Sequence, residues 1–240
     1  GFQRLEQLPE GMQDDLLNLA GVNFKKEDLL MLNGLQDDWL VAGQTETAEE
    51  GNLYARRTWL IGEKSRRTCL HLEFAFADKP YEMTWRLGSV LSGEVVFYPS
   101  ALPMRVVFKK YEWMEKPFQI GSGYRSLAEF ANDCTQALAA NPWLSNFPAF
   151  LENVILVFDE NQFVLVDEAR KILPLHLEET AAWKLVAMSG GRPVSVFGQW
   201  NGERFYPLSA VVGDEFRLLH QVDPLPRKPA NTYEYTELPF

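Results

Sequence analysis

Cysteine and histidine are scarce in this chain. Two cysteines, Cys69 and Cys134, and three histidines among 240 residues cannot build a disulfide framework or a row of metal fingers. No apolar run approaches the ~18 residues that a membrane-crossing helix requires, and no secretory leader pattern is seen. Free thiols in a reducing compartment, the cytoplasm, are therefore expected. Cations are outnumbered, with 23 Lys and Arg against 33 Asp and Glu and a net charge of -10. Nucleic-acid affinity is built from cations that neutralise phosphates, so this balance points to a neutral or basic protein partner. An initiator methionine is also missing, and an opening on Gly1-Phe2 is what a fragment or a trimmed product would show.

What the chain does have is core material, 46% apolar with 13% aromatic residues, enough for one large or two modest cores. Its pattern predicts an α+β fold dominated by β-structure. A helical lead-in is expected over residues 1–35, where Met12, Leu16, Leu17 and Leu19 recur at helical spacing. An antiparallel β-meander of about five strands is expected over 36–115. Its centre is 70–76, where Leu70, Leu72, Phe74 and Phe76 alternate with His71, Glu73 and Ala75, so the four large apolar side chains are expected inside. Pro99 and Pro103 mark a corner between two further strands. A second α+β unit of hairpins and helices is expected over 116–222. Ser126 and Glu129 have capping-box spacing for a helix from Leu127 to about Ala140. Asp159–Gln162 is a predicted hairpin turn, and Asn201-Gly202 is a predicted type I′ turn. Residues 223–240, rich in proline, read as an extended tail.

Few residues suggest chemistry. Cys69-Leu70-His71 is a C-x-H pair on one strand face, but a closed zinc site takes four ligands, and Cys134, His176 and His220 lack paired spacing. His71 and Glu73 could form an acid–base couple, without a marked nucleophile beside them. Ser89 and Ser92 do not complete a G-x-S-x-G elbow. The glycine loop at 121–123 lacks a preceding buried strand and an immediate helix, and that at 189–191 follows a helix and so meets the wrong end of its dipole for an anion. Arg56, Arg57, Arg66 and Arg67 form the one basic cluster, read as a solvated hairpin tip or a protein contact, with weak single-stranded nucleic-acid binding as the alternative. Trp200, Phe205 and Tyr206 read as core, with a binding hot spot as the alternative.

Two stretches carry a resemblance. Trp59-Leu60-Ile61-Gly62-Glu63, Leu70-His71-Leu72-Glu73-Phe74-Ala75 and Phe97-Tyr98-Pro99-Ser100-Ala101-Leu102-Pro103-Met104-Arg105, with the later run from Val194 to Ser209, resemble the C-terminal region of bacterial SWIM zinc finger family proteins. In that family the finger, C-x-C then C-x-H, sits upstream. No C-x-C occurs here, so the resemblance puts zinc on no residue of this chain and on an upstream finger only. Relatives are often encoded beside a MoxR-type AAA ATPase and a von Willebrand factor A protein. The resemblance thus implies an adaptor, a non-enzymatic protein-interaction module of such an assembly. The alternative is an enzyme with its site between the two units, near Tyr98 to Arg105. His71, Glu73, Tyr98, Arg105 and Trp200 are the candidate binding residues.

Overall fold

The computed structural model describes residues 2–22, 24–77, 79–118 and 123–219. The tail expected over 223–240 lies outside these residues, as do His220 and part of the glycine loop at 121–123. Within them the chain is α+β and β-dominated, with a helical start.

Two short helices, α1 (Glu10–Leu19) and α2 (Lys26–Leu30), lead into five strands, β1 (Leu35–Ala48), β2 (Leu53–Gly62), β3 (Thr68–Phe76), β4 (Val90–Phe97) and β5 (Arg105–Met114). Beyond the meander expected, these strands close into a barrel in the order β1-β2-β3-β5-β4. Closure joins the two sheet edges, though only over a short stretch, and five strands are few enough for side chains to fill the inside. Antiparallel pairing joins β1 to β2 and β4, β2 to β3, and β4 to β5. A parallel pairing of β3 with β5 completes the ring through Leu70–Arg105 and His71–Val106 alone. Trp39, Val41, Leu60, Cys69, Leu91, Val95 and Val106 form the dry part of the interior, where the Trp39 indole N–H donates to the Gly93 carbonyl at 3.0 Å. Helix α2 covers the outside of β4 and β5 by setting Leu29 on Val96 and Val107.

Strand β3 forms where alternation places it, but with its faces reversed. Cys69 and Glu73 are buried, whereas Phe74 and Phe76 are 51% and 50% exposed. The reason lies in its neighbour. β2 aligns Arg56 with Glu73, Thr58 with His71 and Leu60 with Cys69, so an ion pair goes inside. Leu70 then faces outward, where it packs against the second unit.

That unit holds α3 (Leu127–Ala140), β6 (Phe147–Asp159), β7 (Gln162–Val166), β8 (Ile172–Pro174), α4 (Glu179–Ser189), β9 (Val194–Trp200), β10 (Phe205–Val212) and β11 (Glu215–Leu218). Its sheet runs β11-β10-β9-β6-β7-β8. The Ser126 hydroxyl accepts the Glu129 N–H at 3.1 Å, which starts α3 where the capping box predicts. One sheet face carries Phe130, Cys134, Ala182 and Leu185 of the two helices. The other meets the barrel, with Phe150, Phe197 and Leu208 packed on Leu40, Trp59 and Ile61, and the Ser209 hydroxyl donates to the Ala42 carbonyl at 2.6 Å. The β6–β7 turn is tighter than the four residues expected, since Glu160 and Asn161 take φ of 43° and 65° and form a two-residue type I′ turn. The β9–β10 turn departs from type I′. The Asn201 side-chain oxygen accepts the N–H groups of Glu203 and Arg204 at 2.9 and 2.8 Å, so a side chain organises the loop and Gly202 alone takes a positive φ, 99°.

Candidate functional site

Three places bring polar side chains together. The first lies inside the barrel. Arg56 donates to Glu73 Oε2 from Nε at 3.2 Å and from Nη2 at 2.7 Å. Trp85 Nε1 donates to the same oxygen at 3.0 Å, and the Met83 N–H donates to Oε1 at 3.0 Å. Arg56 also donates to the Met83 carbonyl and lies 4.0 Å over the Tyr81 ring. The segment between β3 and β4 is thereby pinned across one end of the barrel. His71 packs against Trp85 and Phe108 at centroid distances of 5.2 and 5.8 Å, with Nδ1 3.5 Å from Glu73 Oε2. Burial pushes the Glu73 carboxyl up. The groups facing it, His71, Arg56, Trp85 and the Met83 N–H, outweigh that effect and hold it at about 2. Ionised and with both oxygens occupied, Glu73 is a poor general base near neutral pH.

The second place is a cavity of about 210 Å³ where β3 and β5 part below their short pairing. His71, Glu73, Tyr98 and Arg105 all line it, so four of the five candidate binding residues converge. The Arg105 guanidinium lies 4.4 Å over the Tyr98 ring, and Lys26 enters from α2, paired with Glu82 at 3.4 Å. The cavity is on the barrel, beneath α2, rather than between the two units. Trp200 is elsewhere, edge-on to Phe130 at 6.2 Å on the helix side of the second sheet, and Phe205 beside it is fully buried.

The third place is the largest, a groove of about 860 Å³ where the end of β1 meets β9 and β10. Gln199 and Tyr206, cross-strand partners, form its floor. Thr45 bounds it from the barrel, Asn146 from the start of β6, and His176 and Glu178 from the segment before α4. His176 stacks on the Tyr206 ring with centroids 4.6 Å apart, and Asn201 donates to the Tyr206 hydroxyl at 3.4 Å. Of its side chains the sequence marked Tyr206, read there as core with a binding hot spot as the alternative; the groove as a whole was not legible, because its side chains come from distant segments and carry no motif.

The four arginines singled out above share no surface. Arg56 is inside the barrel. Arg57 points outward to Thr47 at 2.7 Å and Glu49 at 3.6 Å. Arg66 and Arg67 sit at the far end of the β2–β3 hairpin, where Arg67 covers the Phe97 ring at 3.7 Å. Both cysteines are free and buried. Among the described residues no group of three or more His, Cys, Asp and Glu side chains is arranged to hold a metal, and no helix is long and apolar enough to cross a membrane. No protein-family model, curated protein or solved structure matches the chain.

Proposed function

We propose that this chain is a non-enzymatic protein-interaction module, an adaptor acting in the bacterial cytoplasm, whose partner is a MoxR-type AAA ATPase or a von Willebrand factor A protein. The observation that carries this reading is an aromatic cluster on the second unit. Phe158 and Trp183 are each 46% exposed, lie 5.5 Å apart, and rest on Phe163 at 4.9 and 5.1 Å. Exposed, packed aromatic rings are the residue types on which protein interfaces concentrate their binding energy. The saturated Glu73 carboxylate also supports it, since the one acid–base couple in the sequence serves the barrel.

The test is a direct titration of the purified chain against purified ATPase and von Willebrand factor A proteins from the same genome. One of them binds, and Trp183→Ala weakens binding by about tenfold or more. Failure of both to bind more tightly than about 1 mM rejects the adaptor reading. A second reading, an enzyme, draws on the small cavity where Lys26 and Arg105 stand beside His71 and Tyr98. It requires turnover that is lost on Arg105→Met.

A further inference from the structure

We propose that the groove between the barrel and β9–β10 is a binding site for a neutral oligosaccharide. Its volume, about 860 Å³, falls within the roughly 300–1,000 Å³ of natural small-ligand sites, and it lies where two packed units meet.

Charge narrows the ligand class. No Lys or Arg lines the groove; its titratable side chains are the Glu178 carboxylate and the His176 imidazole, which packs on Tyr206, so phosphorylated or carboxylated ligands would find no permanent cation and would face a carboxylate. Polarity narrows it further. The Thr45 hydroxyl and the Gln199 amide line the groove and have no hydrogen-bond partner among the described residues. Asn146 and Tyr206 add a further amide and a phenol. An apolar ligand would bury these groups unsatisfied, at about 1–3 kcal/mol each. The ligand must therefore donate and accept at several points without net charge.

A peptide fits less well. β9 is paired on both sides, by β6 and β10, whereas β11 joins β10 only from Ser209 onward. Along the groove floor the outer edge of β10 is short, Pro207 in it has no N–H, and the Phe205 and Leu208 carbonyls already accept the His176 and Leu219 N–H groups, so little is left for strand addition. Recognition must come from side chains. Amides and hydroxyls that each donate and accept match the vicinal hydroxyls of a pyranose. Leu177, Pro207 and Leu208 offer apolar surface for its C–H face.

This inference does not depend on the adaptor reading, and separate variants distinguish the two. The full chain is titrated calorimetrically with cellotetraose, maltotetraose and chitotetraose, and with a heparin tetrasaccharide as the charged control. At least one neutral tetrasaccharide binds, with an affinity that hardly changes with salt. Gln199→Ala and Thr45→Val each weaken it by about tenfold, the loss of one good hydrogen bond, whereas Trp183→Ala leaves it intact. Both test positions are half-buried and outside the core clusters, so these substitutions retain the fold. The proposal is overturned if no neutral tetrasaccharide binds, if both groove variants bind as well as the unaltered chain, or if the charged control is preferred. Capture of an uncharged peptide by the groove, with no saccharide bound, also overturns it.

Discussion

The substitution Glu73→Gln would keep the shape of the buried side chain and remove its charge. The cost can be estimated from two directions. A carboxyl held at about 2 instead of the ordinary 4.5 represents about 3 kcal/mol of folding free energy at neutral pH. Removing one partner of a buried ion pair costs about 3–5 kcal/mol, because the other charge stays buried; here Arg56, with its side chain 12% exposed, would face a neutral amide in place of a carboxylate. The single amide oxygen still accepts from one side of the set, either the Met83 N–H or the Trp85 indole, so a loss near the lower figure, about 3 kcal/mol, is expected. The pH dependence is the sharper mark. The folded carboxyl titrates below the unfolded one, so its contribution is complete above about pH 4.5 and is lost as pH falls towards 2. Urea unfolding of both proteins across this range should give a difference that is constant near neutral pH and shrinks on acidification. A loss below about 1 kcal/mol at pH 7, or a gap that ignores pH, would refute the assignment of Glu73 as the electrostatic centre of the barrel.

Two further substitutions probe the frame around the sites. A methyl group at Gly43 would come within 2.8 Å of Leu208 Cβ and 2.9 Å of its Cδ1, so Gly43→Ala should destabilise the chain by about 1–3 kcal/mol, and Leu208→Ala, which removes Cδ1 and keeps Cβ, should relieve only part of this in a double-mutant cycle by urea unfolding. Asp37 accepts the N–H groups of Asp38, Lys64 and Ser65 at 2.7, 3.1 and 2.7 Å; Asp37→Asn should cost about 1–3 kcal/mol and speed amide exchange at Lys64 and Ser65.

Local signals in the sequence were reliable where the chain decides locally. Ser126 and Glu129 mark the start of α3, and Asn141-Pro142 marks its end, because caps and prolines act within one turn. Alternation at 70–76 identified a strand but assigned its faces by residue type. Period two says that odd and even positions differ, and the partner strand decides which goes inside. A sequence-level clue to the reversal was available in Arg56 and Glu73, opposite charges placed symmetrically about the turn near Ser65. At Asn201 a side-chain oxygen prevailed over the backbone preference of Asn-Gly. The convergence of His71 and Glu73 with Tyr98 and Arg105 followed from β3 and β5 lying side by side, a non-local pairing. The large groove escaped notice for the same reason, with the added difficulty that Thr, Asn and Gln are common on any surface.

The barrel has a seam. Every other neighbouring pair of strands is zipped along most of its length, while β3 and β5 are fastened only at Leu70–Arg105 and His71–Val106. Breathing of such a ring starts where the fewest bonds must part. Opening there would admit solvent to the Arg56–Glu73 pair from the side and leave the Met83 to Trp85 plug in place, so this barrel is built to unfasten along its wall before it uncaps.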